Sequence, residues 1–324
     1  MRSMNLVAGL TALLSCLATA APAPGTQQIE ARAGSLTQVQ DFGKNPSGIK
    51  MFTYVPAKLA AKPPRGAGAA RVRVDGELLL RLDQTPKDGD CWDVSSDQTL
   101  THDGGGDSTG LANMVKYALK KYNGDASRVY VTGESSGAMM TQVMAAVYPD
   151  MFAAASEFSG EPAGCFRTGS VRGWNSQCAG GQVNKSPADW AAQVHKMYPG
   201  YTGTYPKMLV WHGDVDKTLN INSFNESIKE WSGIFGYSGT AKQTQENTPG
   251  ARLTKYIYGD RLQGIWGHGF GHVVPTNETE ALTWFGILSD RRMQKPRILL
   301  QPMRSCALIN DKSEKKTVLE SASS

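Results

Sequence analysis

Two periods organise the apolar positions of this chain. Residues 51–55 alternate apolar and polar and stop at Pro56, the pattern of a short strand. Leu111, Met114, Val115 and Leu119 recur at helical spacing, and Asp107 or Ser108 is placed to cap a helix reaching Tyr122. A β-branched run over 128–132 predicts a buried strand, and an apolar helix over 138–148 follows it. Further strands are predicted over 152–158, 207–211 and 253–258, and further helices over 222–235 and 279–288. Strands that alternate with helices in this way predict an α/β fold with a largely parallel sheet. No internal repeat and no Pro/Ser/Gly linker divides residues 34–288, which read as one domain.

The turn between the 128–132 strand and the next helix carries the sharpest chemical signal. Gly133-Glu134-Ser135-Ser136-Gly137 matches G-x-S-x-G in the strand–turn–helix context the pattern requires. A serine there projects from the edge of the sheet, and glycines two residues away on either side remove the side chains that would collide in so tight a turn. The helix N-terminus behind it favours developing negative charge. Ser135 is therefore the candidate nucleophile, and the Ser136 N–H is a candidate oxyanion donor.

A serine hydroxyl needs a base, and the base needs an orienting carboxylate. For this strand–turn–helix arrangement the chain order is Ser, acid, His. Of the histidines at 102, 195, 212, 268 and 272, only the last two lie beyond a suitable acid. His272 sits in a glycine-flexed loop, Gly269-Phe270-Gly271-His272, just before the final helix and is the preferred base, with His268 as the alternative. The acid belongs in the bend after the 207–211 strand, where Asp216 is preferred over Asp214. The His268–His272 spacing lacks the glutamate of a helical zinc motif, and Gly104-Gly105-Gly106 lacks the Lys-Ser/Thr of a phosphate loop, so no metal or cofactor site is expected.

Charge and the N-terminal segment change the picture in two respects. The 324-residue chain carries a net charge of +5, but the excess is concentrated in 58–87 and 289–324, leaving a mildly acidic body with little affinity for nucleic acid. Residues 1–20 combine Arg2, a short apolar stretch and Ala18-Thr19-Ala20, and so read as a secretory signal peptide. A loose Pro/Ala/Gln-rich leader over 21–33 follows it, and no later apolar run is long enough to cross a membrane. Secretion permits disulfides. Cys165 and Cys178 flank a Gly/Ser/Asn-rich loop and are expected to pair, whereas the sequence alone suggests no pairing for Cys91 and Cys306. Asn184, Asn225 and Asn277 begin N-glycosylation sequons, the first weakened by Pro187.

Cys91-Trp92-Asp93-Val94-Ser95-Ser96, Leu100–Gly106, Gly133–Met140, Gly164-Cys165-Phe166, Trp174-Asn175, Met197–Tyr201, His212–Leu219 and Leu262–Ile265 together resemble the fungal acetylxylan esterases of carbohydrate esterase family one. The resemblance spans about residues 34–61 and 86–287. It implies a secreted, monomeric α/β-hydrolase that uses no cofactor and deacetylates xylan, with Ser135, Asp216 and His272 in the catalytic roles. Some relatives act on feruloyl esters, and poly(hydroxyalkanoate) depolymerases are more distant kin. Trp92, Trp174, Trp211 and Trp266 are candidates for stacking on sugars.

Two stretches depart from the family pattern. Residues 62–90, most clearly 62–85, are too short for the expected strand, oxyanion loop, helix and second strand, and they lack the expected His-x-Cys-x-Gly. The basic tail 289–324 extends past the usual end and is expected to be disordered. A missing strand would leave the nucleophile strand unpaired at the centre of the sheet. It would also remove the second oxyanion donor, and so makes an impaired glycan-binding homologue an alternative to an active esterase.

Overall fold

The computed structural model describes residues 36–55, 65–66, 78–83, 91–288 and 298–302. The signal peptide and leader, Cys16, Cys306, most of the atypical 62–90 stretch and all of the tail except 298–302 lie outside the described residues.

Eleven strands form one sheet: β1 (Leu36–Val39), β2 (Lys50–Tyr54), β3 (Arg65–Gly66), β4 (Leu78–Asp83), β5 (Val129–Glu134), β6 (Ala154–Phe158), β7 (Lys207–Gly213), β8 (Gln243–Glu246), β9 (Leu253–Ile257), β10 (Leu262–Gly267) and β11 (Ile298–Pro302). Their spatial order is β1-β2-β4-β3-β11-β5-β6-β7-β10-β9-β8. The middle, from β4 to β10, is parallel, whereas β1–β2, β2–β4, β10–β9 and β9–β8 are antiparallel. The α/β architecture is thus the one the alternating pattern predicts, with antiparallel pairs at both margins.

The parallel centre is buried on both faces, and β7 shows how. Met208 and Val210 belong to one buried cluster, while Leu209 and Trp211 belong to the other, because successive side chains point to opposite faces. Helices α1 (Gly106–Lys121), α2 (Ser136–Val147), α4 (Pro187–His195) and α5 (Asn222–Phe235) supply residues to the first cluster, and α6 (Glu278–Trp284) supplies the second. Every residue of α2 is buried, as an apolar helix behind a central strand requires. The Trp284 indole donates to the Ala155 carbonyl at 3.0 Å and fastens α6 to β6. The short α3 (Ser176–Ala179) carries Cys178, which is bonded to Cys165. Cys91 is also disulfide-bonded, which corrects the reading that suggests no pairing for it.

Two further expectations change. Asp107 does not cap α1: the cap is Gly105, and Asp107 lies buried in the first turn, where its carboxylate accepts the Asp93 N–H at 2.9 Å. The nucleophile strand is not left unpaired. Strand β11, from the basic tail, lies parallel beside β5 with Ile298, Leu299 and Leu300 opposite Val129, Tyr130 and Val131. On its other side it pairs with β3 and β4. Within the described residues, the tail supplies the strand whose absence the sequence pattern suggested.

A proline within β11 removes a ladder donor from a strand paired on both sides. Leu300→Pro is expected to lower the thermal unfolding midpoint by several degrees and broaden the transition followed by circular dichroism. An unchanged midpoint would show that this pairing contributes little to the folded state.

Candidate active site

Ser135 stands at the C-terminal end of β5, between Glu134 and the first residue of α2. Its backbone has φ 56° and ψ −121°, an uncommon conformation for a side-chain-bearing residue. The strained turn is held from both sides: the Ser135 N–H donates to the Phe158 carbonyl at 2.9 Å, and its own carbonyl accepts from Met139 N at 3.0 Å. A Cβ at Gly133 would lie 2.3 Å from the Gly137 carbonyl oxygen, so the first of the two flanking glycines is needed because the backbone of the second packs against it. Ser136 opens α2, where a first-turn N–H has no partner within the helix and is free to face an anion.

The other two side chains come from neighbouring strands. Asp216 follows β7, and His272 follows β10, which pairs in parallel with β7. His272 Nε2 lies 2.7 Å from Ser135 Oγ, and His272 Nδ1 lies 2.8 Å from Asp216 Oδ2. The ionised carboxylate can only accept, so Nδ1 carries the proton and the Nε2 lone pair faces the serine hydroxyl.

Asp216 is buried, and burial works against its charge. Hydrogen bonds from His212 and His272 outweigh it and hold the carboxyl well below the usual range. Its four acceptor positions are filled: Oδ1 takes the N–H groups of Thr218 and Leu219 at 2.8 and 3.0 Å, while Oδ2 takes His272 Nδ1 and, at 3.2 Å, His212 Nε2. The same His212 Nε2 lies 3.0 Å from the Leu219 carbonyl, so its N–H is shared between the two acceptors. Chain order excludes His212 as the base and is silent on its role as a second donor to Asp216. Its i, i+4 spacing to Asp216 was the available signal.

The two loops meet because Gly213 has no side chain. A Cβ there would sit 2.2 Å from the Phe270 carbonyl oxygen and 2.5 Å from that of Gly271, both backbone atoms. His268 does not approach Ser135; its Nε2 bonds Thr254 Oγ1 at 2.8 Å. Asp214, the alternative acid, faces His268 rather than His272.

Around this core, Glu134 is pushed up by burial, partly offset by the nearby His272. Behind it, burial pushes Glu157 up to about 8 against the hydrogen bonds from the Gly160 N–H and Gln142. Glu161 and Glu230 are raised by the same cause. The tryptophans divide sharply: Trp92 and Trp211 are fully buried core residues and cannot stack on a sugar, Trp266 is half-buried, and Trp174 is 43% exposed. Asn184 and Asn225 are exposed, and Asn277 is half-buried where its Oδ1 caps α6 by accepting the Glu280 N–H at 3.0 Å. The residues expected to supply the second oxyanion donor lie outside the described residues. Glu161, Cys165 and Cys178 cluster together, but both cysteines are committed to their disulfide and leave no thiolate for a metal.

Comparison with known proteins identifies the family. Residues 82–232 match the family described as Esterase PHB depolymerase. A protein of Aspergillus terreus named "Probable acetylxylan esterase A" is 47% identical over 302 residues, covering 86% of this chain and 97% of the relative. The chain belongs to the acetylxylan esterase A family. Acetylxylan esterase A of Aspergillus ficuum is 44% identical over 293 residues, covering 85% of this chain and 97% of its own. The solved structure of the acetyl xylan esterase from Aspergillus awamori superposes with a TM-score of 0.74 at 44% identity, covering 78% of this chain and all of that one. In this acetylxylan esterase A family member, the sheet centre and the loops after β5, β7 and β10 form one continuous frame around Ser135.

Gly213→Ala should force the His272 loop away from Asp216 and lower kcat by about 10²-fold, the scale of a 1 Å misplacement, while circular dichroism shows a folded protein. Wild-type kinetics from a folded variant would mean that the loop relaxes without disturbing the dyad.

Glu157 binds a proton on folding. Its contribution to stability is therefore complete below its ordinary value of 4.5 and is lost as the pH rises through about 8. Between those limits its share of the unfolding free energy should fall by about 1.4 kcal/mol per pH unit. Denaturant titrations at about pH 5, 7 and 9 should show a shallower decline for Glu157→Gln than for the wild type, and parallel declines would contradict this.

Proposed function

We propose that this chain is a secreted serine carboxylesterase that removes acetyl groups from xylan. Ser135 is the nucleophile, His272 the general base and acid, Asp216 the orienting carboxylate and the Ser136 N–H one oxyanion donor. The observation that carries the reading is the unbroken chain Ser135 Oγ–His272 Nε2 and His272 Nδ1–Asp216 Oδ2, at 2.7 and 2.8 Å, in a member of the acetylxylan esterase A family. The signal-like residues 1–20 and the Cys165–Cys178 disulfide support export to an oxidising compartment. No described helix is long and apolar enough to cross a membrane.

The chemistry follows from the geometry. Ser135 Oγ forms a bond to the acetyl carbonyl carbon as its proton passes to His272 Nε2, and negative charge gathers on the carbonyl oxygen near the Ser136 N–H. The bond to the sugar oxygen then breaks, and His272 returns its proton to that oxygen. A water molecule, deprotonated by His272, attacks the acetyl-serine; acetate leaves and Ser135 recovers its proton. Asp216 stays ionised throughout, because the groups around it favour its charge, and it stabilises the imidazolium that forms twice in the cycle.

The test is acetate release from acetylated xylan by the purified chain and by Ser135→Ala. The variant should lose more than about 10³-fold in kcat, and a serine-directed phosphonate should label the wild type once per chain. Faster turnover of feruloyl than of acetyl esters would reassign the substrate. Binding of xylan without acetate release or labelling would identify the inactive glycan-binding homologue instead.

A further inference from the structure

Two residues weighed as alternatives for the catalytic roles, Asp214 and His268, remain without one, yet they face each other. Asp214 opens the bend that leads to Asp216, and His268 opens the loop that leads to His272. Asp214 Oδ1 accepts the Gly269 N–H at 2.6 Å, and Oδ2 accepts the Trp266 indole N–H at 3.2 Å. His268 Nδ1 stands 3.4 Å from the same Oδ2. The backbones are joined as well: Asp214 N donates to Gly267 O at 2.9 Å, and Val215 N donates to Phe270 O at 3.1 Å.

The far side of His268 is equally committed. The Thr254 hydroxyl donates to Glu246 Oε2 at 2.7 Å, so His268 Nε2 carries a proton and donates to Thr254 Oγ1 at 2.8 Å, and Nδ1 donates to Asp214 when the ring carries both protons. Arg252 holds the loop from the β9 side: its Nε donates to His268 O at 2.9 Å, its carbonyl accepts His268 N at 2.8 Å, and its guanidinium lies 4.4 Å from the centre of the Phe270 ring. Gly269 has φ 68°, so little local preference holds this glycine-rich segment in place. The polar couple does what the local sequence cannot.

We propose that Asp214 and His268 are a second histidine–carboxylate couple that positions the catalytic loop, locking residues 267–271 against the bend that carries Asp216 so that His272 meets Asp216 and Ser135 together. The couple acts through His272 and touches no substrate. The proposal rests on the esterase reading above.

Aryl acetate hydrolysis by the wild type tests that reading first: an inactive wild type would defeat the esterase assignment and leave the couple without a reaction to serve. With an active wild type, Asp214→Ala should lower kcat by about 10²-fold with KM within about threefold, since the substrate contacts are untouched and only the reacting groups shift. Asp214→Asn keeps an oxygen for the Gly269 N–H and should recover about tenfold of that loss. Asp214→Ala with His268→Ala together should be no worse than Asp214→Ala alone, the mark of residues that act as a unit. The downfield proton resonance of the His272–Asp216 hydrogen bond should weaken in Asp214→Ala and return in Asp214→Asn. Wild-type kcat in Asp214→Ala would overturn the proposal. So would equal losses in the Ala and Asn variants that follow their unfolding midpoints, or losses that multiply in the double variant.

Discussion

The site depends on how closely two backbones can pass. The bend after β7 and the loop after β10 are in contact at Gly213, whose bare Cα faces the carbonyl oxygens of Phe270 and Gly271. The parallel pairing of β7 with β10 ends at Gly213 opposite Gly267, so the two chain segments leave the sheet side by side. From there one places a carboxylate and the other an imidazole, and the strained turn at Ser135 raises the hydroxyl to meet them. Ser135 and Asp216 are fixed by hydrogen bonds of their own backbones, and the loop that carries His272 is tied to the Asp216 bend through the Phe270 carbonyl, so little rearrangement accompanies proton transfer.

Electrostatics then sorts the acids around that meeting point. Asp216 is buried and ionised because four donors converge on it, two backbone N–H groups and two imidazoles. Glu157 and Glu230 are more deeply buried and have weaker donor sets, and burial prevails, raising both. Burial and the donors aimed at a carboxyl together decide which way it shifts in this protein.

Much of this was legible in the sequence because the signals were local. The G-x-S-x-G turn, the acid three residues beyond Gly213 and the histidine in a glycine-rich loop each sit within a few residues of a strand end, where a tight turn leaves a compositional trace. What was not legible depended on long-range pairing. Strand β8, Gln-Thr-Gln-Glu, has no apolar alternation because it is a largely exposed edge strand held only by β9. Strand β11 lies in a basic tail with no patterning to announce it, yet it pairs with β5 across more than 160 positions of chain. Asp107 has the composition of a cap but a partner, the Asp93 N–H, that no local rule identifies. His212 was weighed only as a base, although its fixed distance from Asp216 along the chain makes it a natural second donor to the acid.

Asp214 and Asp216 show why residue type and spacing stop short of assigning roles. They are two residues apart on one bend, both face a histidine, and both have their carboxyls held below the ordinary range. The difference lies in direction and burial. Asp216 turns inward, fully enclosed, toward the ring that reaches Ser135, where its charge can stabilise an imidazolium in a low dielectric. Asp214 turns toward a half-exposed ring and a backbone N–H, where water screens its charge but its hydrogen bonds still fix geometry. One bend thus provides an electrostatic partner for the reacting imidazole and a mechanical anchor for the loop that carries it. The anchor matters because a loop built from glycines cannot hold that imidazole in place by itself.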